Sequence, residues 1–233
     1  MRKIALLGFV LLIVAATGWA IDNSTTPSRV GPPEEYTPYS WDLGASRAIL
    51  WDNGDTDGTN GYSHGTAAAI GFRRALLDDF VIPVGDVAWD VNNLTWLLLW
   101  NTLTTPSATG AEISFRNDAG GSPAGTYLAT ASVGAFTETP TGRTWFGRPE
   151  MQMSVDFTAV NLAAGTYWVD YLVVGPENAF AMIKAAITGS ECWLDWDDYG
   201  LVPGTTVIGG PADLSFVLSG EVVPVELQSF SAE

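Results

Sequence analysis

The sequence is poor in the side chains that carry most acid–base and nucleophilic chemistry. Its 233 residues include one histidine, His64, and one cysteine, Cys192. A Ser-His-Asp or Cys-His arrangement would therefore depend on His64, and no nucleophile-elbow motif accompanies it. The same scarcity disfavours a four-ligand zinc site. Because a lone cysteine cannot close an internal disulfide, we expect Cys192 to be a small buried apolar residue.

Basic side chains are scarce as well. Lysine and arginine together number 10 against 26 aspartates and glutamates, a formal net charge of −16. Loss of Arg2 and Lys3 with a signal peptide would leave eight basic side chains against 26 acidic ones, a formal charge of −18. Nucleic acids and anionic membranes attract clustered cations, so neither is an expected partner. Because 47% of the residues are hydrophobic and only 15% charged, we expect a packed core.

Long hydrophobic runs are absent after the first 20 residues. Residues 4–16 form one apolar run, preceded by two basic residues and followed by the small residues Gly18 and Ala20. This pattern predicts a secretory signal peptide over residues 1–20, a mature chain beginning at Ile21 and a secreted, extracellular protein. The run is too short for a stable bilayer anchor, so we expect no integral membrane segment after cleavage.

The remaining chain divides into three parts. Residues 21–45 are rich in Pro, Ser and Thr, which is typical of an extended leader. Residues 46–220 have the composition of one globular unit, predicted as a β-sandwich domain. Residues 221–233 are predicted to form a C-terminal strand or the start of a missing module.

Apolar and polar residues alternate with a period of two through most of the globular unit. The clearest example is residues 151–158, where four apolar residues alternate with four polar ones. Residues 94–100 form a continuous apolar run, which predicts a central strand covered on both faces. Residues 155–160 and 166–174 are predicted to pair as a hairpin through the turn at residues 163–165. The nine predicted strands cover residues 79–84, 94–100, 111–116, 126–133, 151–158, 166–174, 179–187, 191–196 and 214–218.

This pattern predicts the fold class. Short strands separated by Gly, Pro and Asn turns, with no convincing amphipathic helix, indicate an all-β, antiparallel β-sandwich that is jelly-roll-like. The alternation also assigns side chains to faces. Those expected in one core are Val155, Phe157, Tyr167, Val169, Phe216 and Leu218.

Several sequence segments resemble a known type of domain. They include LWDNG at residues 50–54, LDDFVIP at 77–83, LAAGTYW at 162–168 and DLSFVL at 213–218. Together they are similar to a β-sandwich domain of secreted bacterial proteins with PEP-CTERM-type or other C-terminal sorting signals. The resemblance spans residues 49–220 and implies the sandwich fold, but its shared residues are turn and core positions and imply little about activity.

Two further segments take their interpretation from the same comparison. In this pattern Asp78 and Asp79 open a strand, with one carboxylate binding backbone amides in a turn. Residues 223–232 resemble the stretch that begins a fibronectin-like module ahead of a type IX sorting domain in secreted proteins of Bacteroidetes and related bacteria. Because the sequence given ends at Glu233, we expect either a truncated gene or a fragment of a larger surface protein.

An Asp- and Asn-rich loop at residues 52–61 is a candidate metal site. Hard oxygen ligands at alternate positions, with a glycine that permits a sharp turn, are what a calcium loop requires. The twelfth position is His64, where such loops carry a bidentate Glu. The same composition is typical of an ordinary surface loop. The candidate calcium ligands are Asn53, Asp55, Asp57 and Asn60.

Tryptophans next to carboxylates form a candidate ligand site. An exposed Trp can stack on a sugar ring while neighbouring acids accept hydrogen bonds from its hydroxyl groups. The alternative is that these large aromatic side chains fill the core. The candidate residues for ligand binding are Trp168, Asp170, Trp193, Asp195 and Asp197, with the first four expected to face outward.

Three functions are therefore compatible with the sequence. The leading one is a non-catalytic extracellular or cell-surface β-sandwich protein with a binding, adhesion or envelope-structural role. The alternatives are a carbohydrate-binding module and a polysaccharide-active hydrolase with an unrecognised carboxylate pair. We expect no catalytic residue, no cofactor other than calcium, and a glycan or cell-envelope component as partner.

Overall fold

The computed structural model describes residues 39–43, 47–58, 60–67, 73–86, 88–102, 105–184, 186–197 and 199–223. The predicted signal peptide, most of the predicted leader and residues 224–233 lie outside these ranges. Within them, no helix has the length and apolar character needed to span a membrane.

The described residues form fourteen strands and one short helix, which confirms the all-β prediction. Alternating sequences account for most of the strands, and Gly- and Pro-containing turns separate them. The strands are β1 Ala48–Asp52, β2 Gly61–Ala67, β3 Arg73–Ile82, β4 Ala88–Trp100, β5 Gly110–Asn117, β6 Ala129–Thr130, β7 Val133–Trp145, β8 Arg148–Ala163, β9 Gly165–Gly175, β10 Ala179–Lys184, β11 Trp193–Trp196, β12 Gly200–Pro203, β13 Asp213–Leu214 and β14 Phe216–Val223; the helix is α1 Thr205–Ile208.

The strands build two sheets. In the first, called sheet 1, β8 lies between β7 and β4. The other edge of β4 pairs with β14 along one part of its length and with β10 along another. Strand β1 then pairs with β14, and β2 pairs with β10. In the second, called sheet 2, the order is β6-β5-β9-β3-β11-β12. Among the described strands, every pairing is antiparallel except that of β2 with β9.

Strand β2 belongs to both sheets. His64 pairs with β10 in sheet 1, whereas the next residue, Gly65, pairs with Arg74 of β3 in sheet 2. Gly65 has a φ of 124°, and a Cβ atom there would lie 2.9 Å from the Val173 carbonyl oxygen. Only glycine suits this corner, because other residues would be strained by the dihedral angle and would clash.

The core lies between the two sheets. Trp96 and Phe216 of sheet 1 pack on Tyr171 of sheet 2, with ring centroids 5.1 and 6.4 Å apart. The predicted core is confirmed: five of its members are buried in one cluster and the sixth, Tyr167, is partly buried against that cluster. The buried five are Val155, Phe157, Val169, Phe216 and Leu218.

The predicted central strand is also confirmed. Residues 94–100 lie in β4 and are all buried. The outer side of β4 is covered because Leu97 and Leu99 pack with Trp145 and neighbouring apolar side chains, and Tyr39 and Trp41 pack against that group.

The predicted hairpin between β8 and β9 is wrong. Strand β8 pairs with β4 and β7 in sheet 1, and β9 pairs with β3 and β5 in sheet 2. The chain therefore crosses between sheets at Ala164. A period of two predicts which side of a strand is apolar, but it does not identify the neighbouring strand in the sheet. Two strands with apolar inner sides can pair in one sheet or face each other across a sandwich, and β8 and β9 do the latter.

Replacement of Phe157 by Ala tests the assignment of the core. The side chain is buried and lies 6.0 Å from the Phe115 ring across the sandwich. The substitution should lower the free energy of unfolding by about 3–5 kcal/mol through lost contacts and a cavity. The control is the neighbouring exposed residue, Thr158→Ala, which should change it little. Equal effects in urea unfolding would contradict the assignment.

Candidate functional site

The predicted ligand residues lie together on the outer face of sheet 2. Strand β3 separates β9 from β11, and its Leu77 is opposite both Asp170 and Trp193. Side chains of β9 and β11 meet across β3, since the rings of Trp168 and Trp193 are in edge-to-face contact with centroids 6.4 Å apart. The structure thus brings the two predicted Trp–Asp groups together.

Two arginines connect the carboxylates of this face. Arg116 donates to Asp170 from Nε at 3.2 Å and from Nη2 at 2.7 Å, and the same Nη2 donates to Asp195. Arg73 donates from Nε to Glu112 at 3.0 Å and lies 3.4 Å from Asp170 and 3.7 Å from Asp195. We call these five residues the arginine–carboxylate network. They carry two positive and three negative groups, so the network favours ligands with hydroxyl groups or positive charge over anions.

Burial sets the electrostatics of the network. Asp170 is 1% exposed and Arg116 is 3% exposed. Burial raises the pKa of Asp170, and the hydrogen bond from Arg116 opposes the rise. Burial lowers the pKa of Arg116, but the hydrogen bond to Asp170 and the negative charges around the guanidinium together outweigh burial, and the pKa is raised. The pair is held together because loss of either charge would leave the other buried without compensation.

The expected exposure of Trp168 and Asp170 is wrong. Both lie on the outward side of β9, as alternation predicted, but both are buried. The chain after β5 covers them: Asp118 accepts a hydrogen bond from Trp168 Nε1 at 3.0 Å, and the Tyr127 ring stacks on the Arg116 guanidinium at 4.2 Å. A period of two assigns a side chain to a face but does not show whether a loop covers that face.

Trp193 and Asp195 are partly exposed on the outer side of β11, and Asp197 directly follows the last residue of that strand. The Asp197 carboxylate accepts a hydrogen bond from the Arg73 backbone N–H at 2.8 Å. It therefore positions Arg73 at the rim of the network.

Sequence reasoning missed Arg73, Arg116 and Tyr127. A signal was available for the arginines, because only eight basic residues remain after residue 20 and Arg116 ends an alternating strand on its outward side. A rare cation next to outward-facing acids indicates an ion pair. Tyr127 had no such signal, since its position depends on the path of a loop.

A cleft of about 410 Å³ lies beside the network at the β5–β6 edge of sheet 2. Tyr127 forms one wall and is 45% exposed, and its hydroxyl group donates to Asp195 at 3.5 Å. The remaining lining offers charged, hydroxyl and apolar groups. Its members are Arg73, Ala111, Glu112, Ile113, Ser114, Thr130, Ala131 and Val133.

A second cleft of about 310 Å³ lies on the outer face of sheet 1, with Asp42, Leu43 and Arg47 on one side and the β7–β8 pair on the other. The Gln152 amide in this cleft makes its hydrogen bonds within the protein. Its Oε1 accepts from the Tyr39 hydroxyl and the Asp42 backbone N–H, and its Nε2 donates to the Asp42 carbonyl. Its aromatic residue, Phe136, packs against the core. The cleft of sheet 2 is therefore better suited to stacking on a ligand.

The side chains of the candidate calcium loop bind different partners. The Asn53 amide donates to Asp78 at 3.1 Å and to the Leu214 carbonyl at 2.9 Å. Arg143 donates to both Asp55 oxygens, at 2.7 and 2.9 Å, and Asn60 accepts from the Gly61 backbone N–H at 2.9 Å. Asp57 is exposed. Arg143 neutralises Asp55, which disfavours a cation there, and calcium binding by these four residues stays a prediction.

The prediction that Asp78 and Asp79 open a strand is wrong, because both lie inside β3, whereas the predicted binding of backbone amides by a carboxylate is confirmed. Asp78 accepts backbone N–H bonds from Asp79 at 2.9 Å and Leu214 at 2.7 Å, and Asp79 accepts one from Ser190 at 2.9 Å. The strand itself begins earlier than predicted, at Arg73.

The lone His and Cys are both core residues. His64 Nε2 accepts a hydrogen bond from Trp96 Nε1 at 3.2 Å, and burial lowers the pKa of His64 to about 3. Cys192 is buried, as expected, and burial raises the pKa of its thiol. Within the described ranges, no three His, Cys, Asp or Glu side chains are grouped for metal binding.

No protein-family model and no curated protein matches this sequence. The resemblance to bacterial β-sandwich domains with sorting signals therefore stays a prediction. The chemistry of the site rests on its own residues and distances.

His64 should make the protein sensitive to acid. Its pKa is about 3 in the folded state and 6.5 when unperturbed, so between these values the unfolded chain binds a proton that the folded chain does not. Stability should fall as the pH drops from about 6.5 towards 3. His64→Gln keeps an acceptor for Trp96 but does not titrate. The free energy of unfolding in urea should therefore fall less steeply with decreasing pH in this variant than in the wild type. Parallel curves for the two proteins would contradict the assignment.

Proposed function

We propose that the chain is a non-catalytic binding module that works outside the cytoplasm and holds a glycan on the outer face of sheet 2. One observation carries this proposal: the exposed Tyr127 ring lines one cleft with Arg73 and Glu112 of the arginine–carboxylate network, and the same ring stacks on Arg116. The signal-peptide pattern of residues 1–20 supports an extracellular role.

The chemistry of the cleft matches that of a sugar. A pyranose has apolar C–H faces, which pack on aromatic rings, and hydroxyl groups, which donate to carboxylates and accept from guanidinium groups. Tyr127 supplies the ring, and Asp195 and Arg73 supply partly exposed charged groups beside it. These groups are held in place by ion pairs, so little side-chain freedom would be lost on binding.

The same geometry favours binding over hydrolysis. A glycosidase needs one protonated carboxylic acid and one carboxylate on opposite sides of the scissile bond. Here Arg116 Nη2 donates to both Asp170 and Asp195, so the two carboxylates share one cation instead of facing each other across a substrate. An arginine between them also occupies the space that a substrate would need.

Substitution of Tyr127 by Ala tests the proposed site. Loss of stacking should weaken glycan affinity at least about tenfold, or ~1.4 kcal/mol. Tyr199→Ala is the matched control, because Tyr199 is 49% exposed and contacts Trp196 away from the cleft. Both variants should keep nearly the wild-type melting temperature. Affinity would be measured by calorimetry with oligosaccharides selected on a glycan array.

Three outcomes would contradict the proposal. The first is no binding by the wild type across neutral, acidic and basic glycans at millimolar concentration. The second is an equal loss of affinity in the Tyr127 and Tyr199 variants. The third is turnover of a bound polysaccharide, which would indicate the hydrolase instead. Trp193→Ala provides a further check, since it should reduce binding with little change in melting temperature.

A further inference from the structure

A second group of polar side chains lies inside the sandwich and is not accessible to solvent. Asp78 is on the inner side of β3, in register with the core residues Leu76 and Phe80. Asp213 of β13 and Asn53 join it, and all three are fully buried. We call Asn53, Asp78 and Asp213 the interior carboxylate cluster. Asn53 connects its members, because it donates to Asp78 and to the carbonyl of Leu214, the residue after Asp213.

Two oxygens of this cluster have no hydrogen-bond donor. They are Asn53 Oδ1 and Asp213 Oδ1, each buried and each without a partner among the described residues. Both are acceptors, so neither can satisfy the other. Buried acceptors of this kind require a donor, a water molecule or a cation.

The cluster also has too little positive charge. Burial raises the pKa of Asp78, and the negative charges of Asp213 and Asp79 raise it further. Lys184 is a basic group beside them, with Nζ 3.9 Å from Asp213 and 3.0 Å from the Thr188 hydroxyl oxygen. One ammonium group at that distance does not balance two buried carboxylates and their neighbour.

We propose that Asn53 Oδ1, Asp213 Oδ1 and the Asp78 carboxylate hold a hard cation, and that calcium is the best fit. Calcium binds carboxylate and amide oxygens in flexible geometry, whereas magnesium usually retains several waters. The three side chains come from separate chain segments that hydrogen bonds of Asp78 to Asn53 and to Leu214 hold together, and none of them is a histidine. The site shares only Asn53 with the candidate loop ligands, and it does not depend on the proposed glycan site.

The position of the cluster gives the cation a structural role. Asn53 follows β1 in sheet 1, Asp78 belongs to β3 in sheet 2, and Asp213 precedes β14 in sheet 1. A bound cation therefore links segments of both sheets. It would stabilise the folded chain by binding the native state alone.

Calcium content and melting temperature of the mature protein test the proposal. We expect one bound calcium ion per chain after dialysis against calcium, detected by elemental analysis. Relative to chelator, a hundredfold excess of calcium over Kd should raise the melting temperature by roughly 5–10 °C. Magnesium should produce a much smaller rise.

Two matched variants locate the ion. Asp213→Asn should remove both the bound calcium and the thermal shift, whereas Asp57→Asn, at an exposed position of the Asp- and Asn-rich loop, should retain both. A wild type without bound calcium overturns the proposal, whether or not the Asp213 variant folds. Calcium that is retained by Asp213→Asn and lost in Asp57→Asn also overturns it and assigns the ion to the surface loop.

Discussion

The contact of Trp96 with Tyr171 joins the two sheets, and the rest of the structure depends on this apolar packing. Both rings are fully buried with centroids 5.1 Å apart, and His64 lies beside them as a neutral acceptor. Large aromatic side chains remove much apolar surface from water, which is the main favourable contribution to folding. Because these residues fix which side of each strand faces inward, they also fix which side chains reach the outer faces.

Polar groups are buried on both sides of sheet 2, and their arrangements differ. On the outer side, Arg116 and Asp170 compensate each other through direct charge-assisted hydrogen bonds. On the inner side, Asp78 is held by backbone N–H groups and the Asn53 amide, with no direct cation at its oxygens among the described partners. Burial of charge costs free energy in either case, and an apolar core would avoid that cost.

The sequence was sufficient for properties that depend on local alternation. The fold class, the inward side of β8, β9 and β14, and the buried central strand β4 all follow from the spacing of apolar residues. Long-range pairing was not predictable in this way, so β8 and β9 were assigned to one hairpin although Ala164 separates two sheets. Strand β7 was missed because its Thr, Gly and Pro residues are not typical of a strand. They are tolerated because β7 is an edge strand that pairs with β8 alone, so a proline such as Pro140 does not remove a hydrogen bond on its unpaired side. For the candidate site, alternation placed Trp168, Asp170, Trp193 and Asp195 on the outward side of their strands, as the structure has them. It did not show that Asp118 and Tyr127 cover Trp168 and Arg116, because loop paths depend on tertiary contacts.

Membership of β2 in both sheets has a mechanical consequence. A force that slid one sheet along the other would have to break hydrogen bonds of β2 to β10 on one side of Gly65, or to β3 on the other. Several such bonds would be loaded together in shear, which resists rupture better than bonds opened one at a time. The two sheets are thus joined by main-chain hydrogen bonds of one shared strand as well as by the apolar core, so neither sheet can slide past the other without breaking those bonds.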